Sequence, residues 1–120
     1  MMKSDNVVLE KSFGFAIRVV NAYKYLCDER KEYVISKQFL RSGISIGANV
    51  EEAIGGQSKA DFISKLSIAY KEARETHYWI RLLTETDYLT KDMGTSLLSD
   101  VDELCRIIGK IQVTTKSNNS

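Results

Sequence analysis

The chain has no proline in its 120 residues. All-β folds and long loops usually carry some, so its absence favours helices joined by short turns. Histidine occurs once, at His77, and cysteine twice, at Cys27 and Cys105. These three do not make a zinc spacing. There is also no Glu-x-x-His, the pair that di-iron helical bundles use, because Arg74 stands three before His77. No Ser–His–Asp set can be argued either, so no catalytic, cofactor or metal residues are expected. No apolar run approaches the roughly 20 residues that a bilayer requires, so no membrane association is expected. The net charge is +1, which gives no bulk attraction to nucleic acid and leaves only a local basic face as a means of binding it. The start of the chain does not read as a secretory leader. The cysteines, in apolar helical contexts, are therefore expected to be reduced thiols of a cytoplasmic protein.

What is present is one domain's worth of helical periodicity. The first helix is predicted from about Val8 to Arg30. One stripe holds Leu9, Phe13, Ala16, Val20, Tyr23 and Cys27, and a second stripe beside it holds Val8, Phe15, Val19 and Leu26. The second helix is predicted from about Ser36, as N-cap, to Ile54, ending at Gly55-Gly56 where a left-handed residue is easily placed. The third has the clearest start, with Ser58 and Asp61 in a capping-box spacing, and runs to about Thr86. Its seam, Phe62, Leu66, Ala69, Ala73, Thr76, Ile80 and Leu83, alternates by four and three, and Asp61–Lys65 and Lys71–Glu75 offer i,i+4 pairs. The fourth helix runs from about Met93 to Gln112 on Leu97, Val101, Leu104, Ile108 and Ile111. Long helices and short turns predict an all-α, antiparallel up-down-up-down four-helix bundle over residues 1–112, with 113–120 a disordered polar tail.

Two features go beyond a plain bundle. Ile68, Trp79 and Leu82 lie away from the seam of the third helix, and the first helix carries two stripes. Extra apolar surface of this kind suggests a subunit interface, and the alternative is a wider monomer core. Basic residues, notably Arg18, Arg41, Lys65, Arg74 and Arg81, spread over three helices. On the third they interleave with Tyr70, Tyr78 and Trp79. Such mixtures contact phosphates and stack on bases, so RNA or DNA contact is one reading; a solvated helix face is the other.

The most informative stretch is Arg41–Phe62, RSGISIGANVEEAIGGQSKADF. At 100° per residue, Arg41, Ser42, Ser45, Asn49 and Glu52 form one polar side of a helix, and Phe39, Gly43, Ile46, Val50 and Ala53 form the other. This run, followed by QSKADFISKLSIAYKEARETHYWIRLL, closely resembles the family of four-helix proteins encoded in intervening sequences of bacterial 23S rRNA genes. Arg41, Ser42, Ser45, Ile46, Asn49 and Glu52 match the family's Arg-Ser…Ser-Ile…Asn…Glu pattern. Ala53, Ile54 and Gly56 depart from it, the last standing where an arginine is frequent. The resemblance implies a non-enzymatic bundle that assembles as a homo-oligomeric ring, usually a pentamer. Accessory proteins of diversity-generating retroelements look similar, and those bind nucleic acid and a reverse transcriptase. Two functional expectations follow. One is an oligomeric scaffold that contacts RNA or DNA through Arg/Lys side chains. The other is an adaptor that binds a partner protein and no nucleic acid.

Overall fold

The computed structural model describes residues 3–117. Four helices follow one another: α1 (Lys3–Asp28), α2 (Ile35–Ile54), α3 (Lys59–Glu85) and α4 (Lys91–Ser117). α1 packs on α2, α2 on α3, α3 on α4 and α4 on α1, so each helix has two neighbours. The result is an up-down-up-down bundle of 49 × 21 × 19 Å. The α2–α3 seam is the most extensive and the α4–α1 seam the least. The four facing stripes meet in one core, which includes Phe15, Val19 and Leu26 of α1, Phe39, Ile46 and Val50 of α2, Leu66, Ile80 and Leu83 of α3, and Val101, Leu104 and Ile108 of α4. Among the described residues no helix is long and apolar enough to cross a membrane.

The seams of α3 and α4 are buried as the periodicity predicts, apart from Phe62, which is half-buried at the start of α3. α1 departs from expectation. Its core stripe is Val8, Phe15, Val19 and Leu26, while Phe13 of the other stripe is 63% exposed. Two apolar stripes stand side by side on this helix, and the position of α2 against it, with that of α4, decides between them. Gly43 supplies that position: a Cβ there would lie 2.7 Å from Val19 Cγ1. One turn on, a Cβ at Gly47 would lie 3.3 Å from the Ser12 backbone carbonyl. Two glycines four residues apart thus let α2 approach α1 with almost nothing between them.

The helix ends hold three further corrections. Ser36 is not the N-cap of α2: it is buried inside the first turn, and its hydroxyl donates to the Glu32 carbonyl at 2.8 Å. The cap is the Glu32 carboxylate, which accepts from the backbone N–H of Val34 (3.2 Å), Ile35 (3.2 Å) and Ser36 (2.6 Å). Spacing alone does not point to it, because a glutamate reaching forward over two to four residues is not the usual short-side-chain cap. Gly55 and Gly56 do not take a left-handed conformation; that backbone is adopted by Lys31 (φ 55°) and Asp87 (φ 67°), just past the ends of α1 and α3. The expected polar tail is helical as far as Ser117, and residues 118–120 lie outside the described residues. The start of α3 is as predicted, with Ser58 Oγ accepting from the Asp61 N–H at 3.1 Å. At the opposite end of the bundle Arg30 donates to the Asp87 carbonyl at 3.0 Å and lies 5.9 Å from the Tyr88 ring centroid, which joins the two turns found there.

Two outcomes test this account. Gly43→Val is expected to lower the unfolding free energy by about 1–3 kcal/mol, the usual cost of overpacking. Val19→Ala should reduce that penalty in a double-mutant cycle read by chemical denaturation, whereas strictly additive losses would count against the close approach. Burial opposes ionisation of Glu32, yet its hydrogen bonds from Ser36, Ile35 and Val34 outweigh burial and hold the acid below its ordinary pKa. A depressed folded pKa contributes stability that is present above the unfolded value of about 4.3 and is lost as pH falls through the folded value. The stability gap between the wild type and Glu32→Gln should therefore be open at neutral pH and narrow in acid. A gap independent of pH would assign the cap to shape alone.

Candidate functional site

The polar stripe of α2 faces α3. The Arg41 guanidinium forks between two carboxylates one turn apart, donating to Glu72 Oε2 at 3.1 Å and to Glu75. Glu75 also accepts from the Trp79 indole N–H at 3.0 Å. That indole bond lowers the Glu75 pKa; burial opposes it and Arg41 adds to it, while the bond to Glu75 raises the Arg41 pKa. Next to this fork, inside the bundle, Ser42 and Thr76 are fully buried with their hydroxyl oxygens 2.9 Å apart. Thr76 Oγ1 donates to the Glu72 carbonyl at 2.7 Å. At the far end Glu52 pairs with Lys65 at 3.2 Å. Ser45 and Asn49 turn back on their own helix and donate to the Arg41 and Ser45 carbonyls.

Arg41, Ser42 and Glu52 thus reach across to α3, while Ser45 and Asn49 complete the backbone of α2. The stripe forms a seam between two helices. The helix-internal pairs read from the sequence, Asp61–Lys65 and Lys71–Glu75, do not form as ion pairs. Lys65 and Glu75 are engaged by Glu52 and Arg41 of α2 instead.

The basic residues divide into two groups. Arg18 bonds to Asp100 (2.6 Å) and to Ser96 across the α1–α4 seam, and Lys11 pairs with Glu103 beside it. Arg41 and Lys65 are held by acids in the α2–α3 seam. Arg74 and Arg81 remain exposed on α3 and make no ion pair; Arg81 instead lies 5.8 Å from the Tyr78 ring centroid. Lys71, exposed and equally unpaired, completes the row Lys71, Arg74, Tyr78, Arg81, whose 3–4–3 spacing keeps it on one face. On α4, burial raises the pKa of the Cys105 thiol; Arg74 and the exposed Arg106 act against that rise and Asp102 adds to it.

The residues expected to form a subunit interface are less open than their pattern implies. Ile68 is 38% exposed, while Trp79 and Leu82 are half-buried and Trp79 packs against the core. Larger apolar exposure lies on the other side of the molecule, at Phe13, Ile17 and Ile44. Phe13 was visible in the sequence as part of an apolar stripe, and the signal lay in there being two stripes where the core takes one. His77 Nε2 stands 3.3 Å from Asp102 Oδ1 at the edge of the α3–α4 seam. Among the described residues no three His, Cys, Asp or Glu side chains are grouped to hold a metal ion, and both cysteines are free.

The buried hydroxyl pair gives a direct test of the seam. Thr76→Val should cost about 1 kcal/mol, because it leaves Ser42 with only a long 3.4 Å bond to the Phe39 carbonyl. Ser42→Ala combined with Thr76→Val should cost less than the sum of the two, measured by denaturation, since the double change leaves no orphaned partner.

Comparison with known proteins agrees with this fold and sequence. No curated protein matches the chain significantly. A solved structure from Bacteroides thetaiotaomicron, described as a protein with unknown function from the S23 ribosomal protein family, is 53% identical. It matches 91% of this chain and 97% of its own length with a TM-score of 0.89. The family model for the 23S rRNA-intervening sequence protein matches residues 4–110. The four-helix bundle with its Arg41–Glu52 stripe therefore belongs to the 23S rRNA-intervening sequence protein family.

Proposed function

We propose that this protein is a non-enzymatic, self-associating scaffold of the bacterial cytoplasm that contacts RNA or DNA through the outward face of α3. The observation that carries the reading is the row Lys71, Arg74, Tyr78 and Arg81. In a chain where Arg18, Arg41 and Lys65 are each matched by an acid, this row keeps its cations unpaired and sets an exposed aromatic among them. Unpaired cations are free to displace counterions from phosphates, and an exposed tyrosine offers a base a stacking surface. The ring assembly that the family resemblance implies would repeat the row around an axis, so a near-neutral chain would present a concentrated basic surface.

An adaptor for a partner protein is the second reading. It draws on the near-neutral charge and on the exposed apolar side chains of α1 and α2. A filter-binding titration separates the two. The first predicts binding at about 50 mM salt that falls steeply as salt rises. Arg74→Gln combined with Arg81→Gln should weaken binding and reduce the slope of log K against log salt by about 2, one for each lost phosphate contact. Lys65→Gln, whose wild-type cation is already paired, should change it little. Absence of binding at low salt would sink the nucleic-acid reading and leave the adaptor.

A further inference from the structure

A second set of cations stands on α4 beside the row on α3. His77 of α3 meets Asp102 of α4, with Nε2 3.3 Å from Oδ1. Arg74 and Arg81 lie one turn to either side of His77, so both keep to the flank of α3 that is turned to α4. Arg106 lies one turn past Asp102, and Lys110 one turn further. The helices run antiparallel, a direction also fixed by the bond of Gln112 to Ser67. Arg74 and Arg106 therefore fall on the same side of the His77–Asp102 contact, and Lys71 and Lys110 follow beyond them. All five cations are exposed and none makes an ion pair. The acids nearby are engaged elsewhere: Glu72 and Glu75 by Arg41, Asp102 by His77 and Glu103 by Lys11. Glu85, one turn past Arg81, ends the row with the opposite sign. From Lys71 to Arg81 the row measures about 15 Å along the helix.

Tyr78 stands among these cations and is 50% exposed. Its ring meets Trp79 edge-on, with centroids 5.1 Å apart and planes at 72°, and the Arg81 guanidinium lies 5.8 Å from its centroid. Trp79 is in turn tied to Glu75. A ring held on two sides loses little freedom when a base is laid on it, which favours binding. A base offers its flat face only when it is unpaired. In a duplex the neighbouring pairs cover both faces, and the major groove of an A-form helix is too deep and narrow for side chains to read. A stacking tyrosine among phosphate-binding cations therefore suits a single strand and gives little to a duplex.

We infer that this surface takes a single strand of RNA or DNA. Its backbone lies across the α3–α4 seam on Lys71, Arg74, Arg106 and Lys110, and one base rests on Tyr78. The inference rests on the nucleic-acid contact proposed above. It adds the α4 cations to that contact and names the strandedness of the ligand. The chemistry recognised is a phosphate backbone with an unpaired base, which either sugar supplies. Trp79 is the chain's one tryptophan, so its emission reports on the ring beside it.

Fluorescence anisotropy at about 50 mM salt tests this, with an unstructured pyrimidine oligonucleotide, as RNA and as DNA, and a duplex of the same length. A single strand should bind about ten-fold or more tighter than the duplex, and it alone should change the Trp79 emission. Binding of either sugar supports the inference, and the tighter arm names it. Tyr78→Ala should weaken single-strand binding about ten-fold, the size of one lost stack, and leave duplex binding unchanged. Its salt slope should stay at the wild-type value, because no cation is removed. Tyr78→Phe keeps the ring and should keep the affinity. Arg106→Gln combined with Lys110→Gln should weaken binding and flatten the salt slope, as the Arg74 and Arg81 changes do. Lys24→Gln combined with Lys37→Gln removes the same charge from exposed, unpaired lysines of α1 and α2 and should change little. A duplex bound as tightly as the single strand, or a Tyr78→Ala variant that loses nothing, would overturn the inference while leaving the contact on α3. An Arg106 and Lys110 variant no weaker than the Lys24 and Lys37 variant would remove α4 from the site. Absence of binding to every oligonucleotide would instead sink the nucleic-acid reading itself.

Discussion

The missing side chain at residue 43 governs more of this molecule than any side chain present. Because Gly43 offers no Cβ, Val19 stands directly over the α2 backbone, and Gly47 repeats the approach one turn away. Interiors pack at crystal-like density, so a contact this close leaves no freedom to slide. It sets which stripe of α1 is core, and it brings the apolar side chains of α1 and α2 to a common level. It also turns the other flank of α2 toward α3.

That second flank is held by different means. The α1–α2 approach is apolar and tight, whereas the α2–α3 seam is joined by a buried hydroxyl pair and by Arg41 gripping two acids. Exposed ion pairs are worth little individually, since salt and side-chain entropy erode them. The Arg41 fork gains from geometry instead, because two carboxylates one turn apart suit a planar guanidinium and Trp79 fixes one of them. Small hydroxyls inside the seam satisfy each other and the backbone, which lets a polar pair sit in a core without orphaned groups. The small-residue run in α2 is therefore two devices on one helix: glycines toward α1 and hydroxyls toward α3.

Charge is spent unevenly around the bundle. Acids answer the cations Lys11, Arg18, Arg41 and Lys65 at the α1–α4 and α2–α3 seams. The outer row of α3 keeps its charges without internal partners. A near-neutral total thus conceals a local row of unpaired cations on α3, where contact with nucleic acid is proposed. A residue's value as a ligand contact depends on whether its own chain has already claimed it, so Arg18 and Arg74 differ although their sequence settings look alike.

The sequence by itself determined the four helices, their order, the seams of α3 and α4 and the Ser58 cap, because periodicity and capping are local and follow from 3.6 residues per turn. It also identified the family, through the Arg41–Glu52 pattern. The Glu32 cap of α2 and the run of α4 to Ser117 are local features that periodicity does not show. The tertiary structure decided between the two stripes of α1. It also took Lys65 and Glu75 from their helix neighbours and gave them to α2. Those outcomes turn on distances between residues far apart in the chain. Two apolar stripes, or two cations, on one helical wheel become different only when a second helix stands beside one of them.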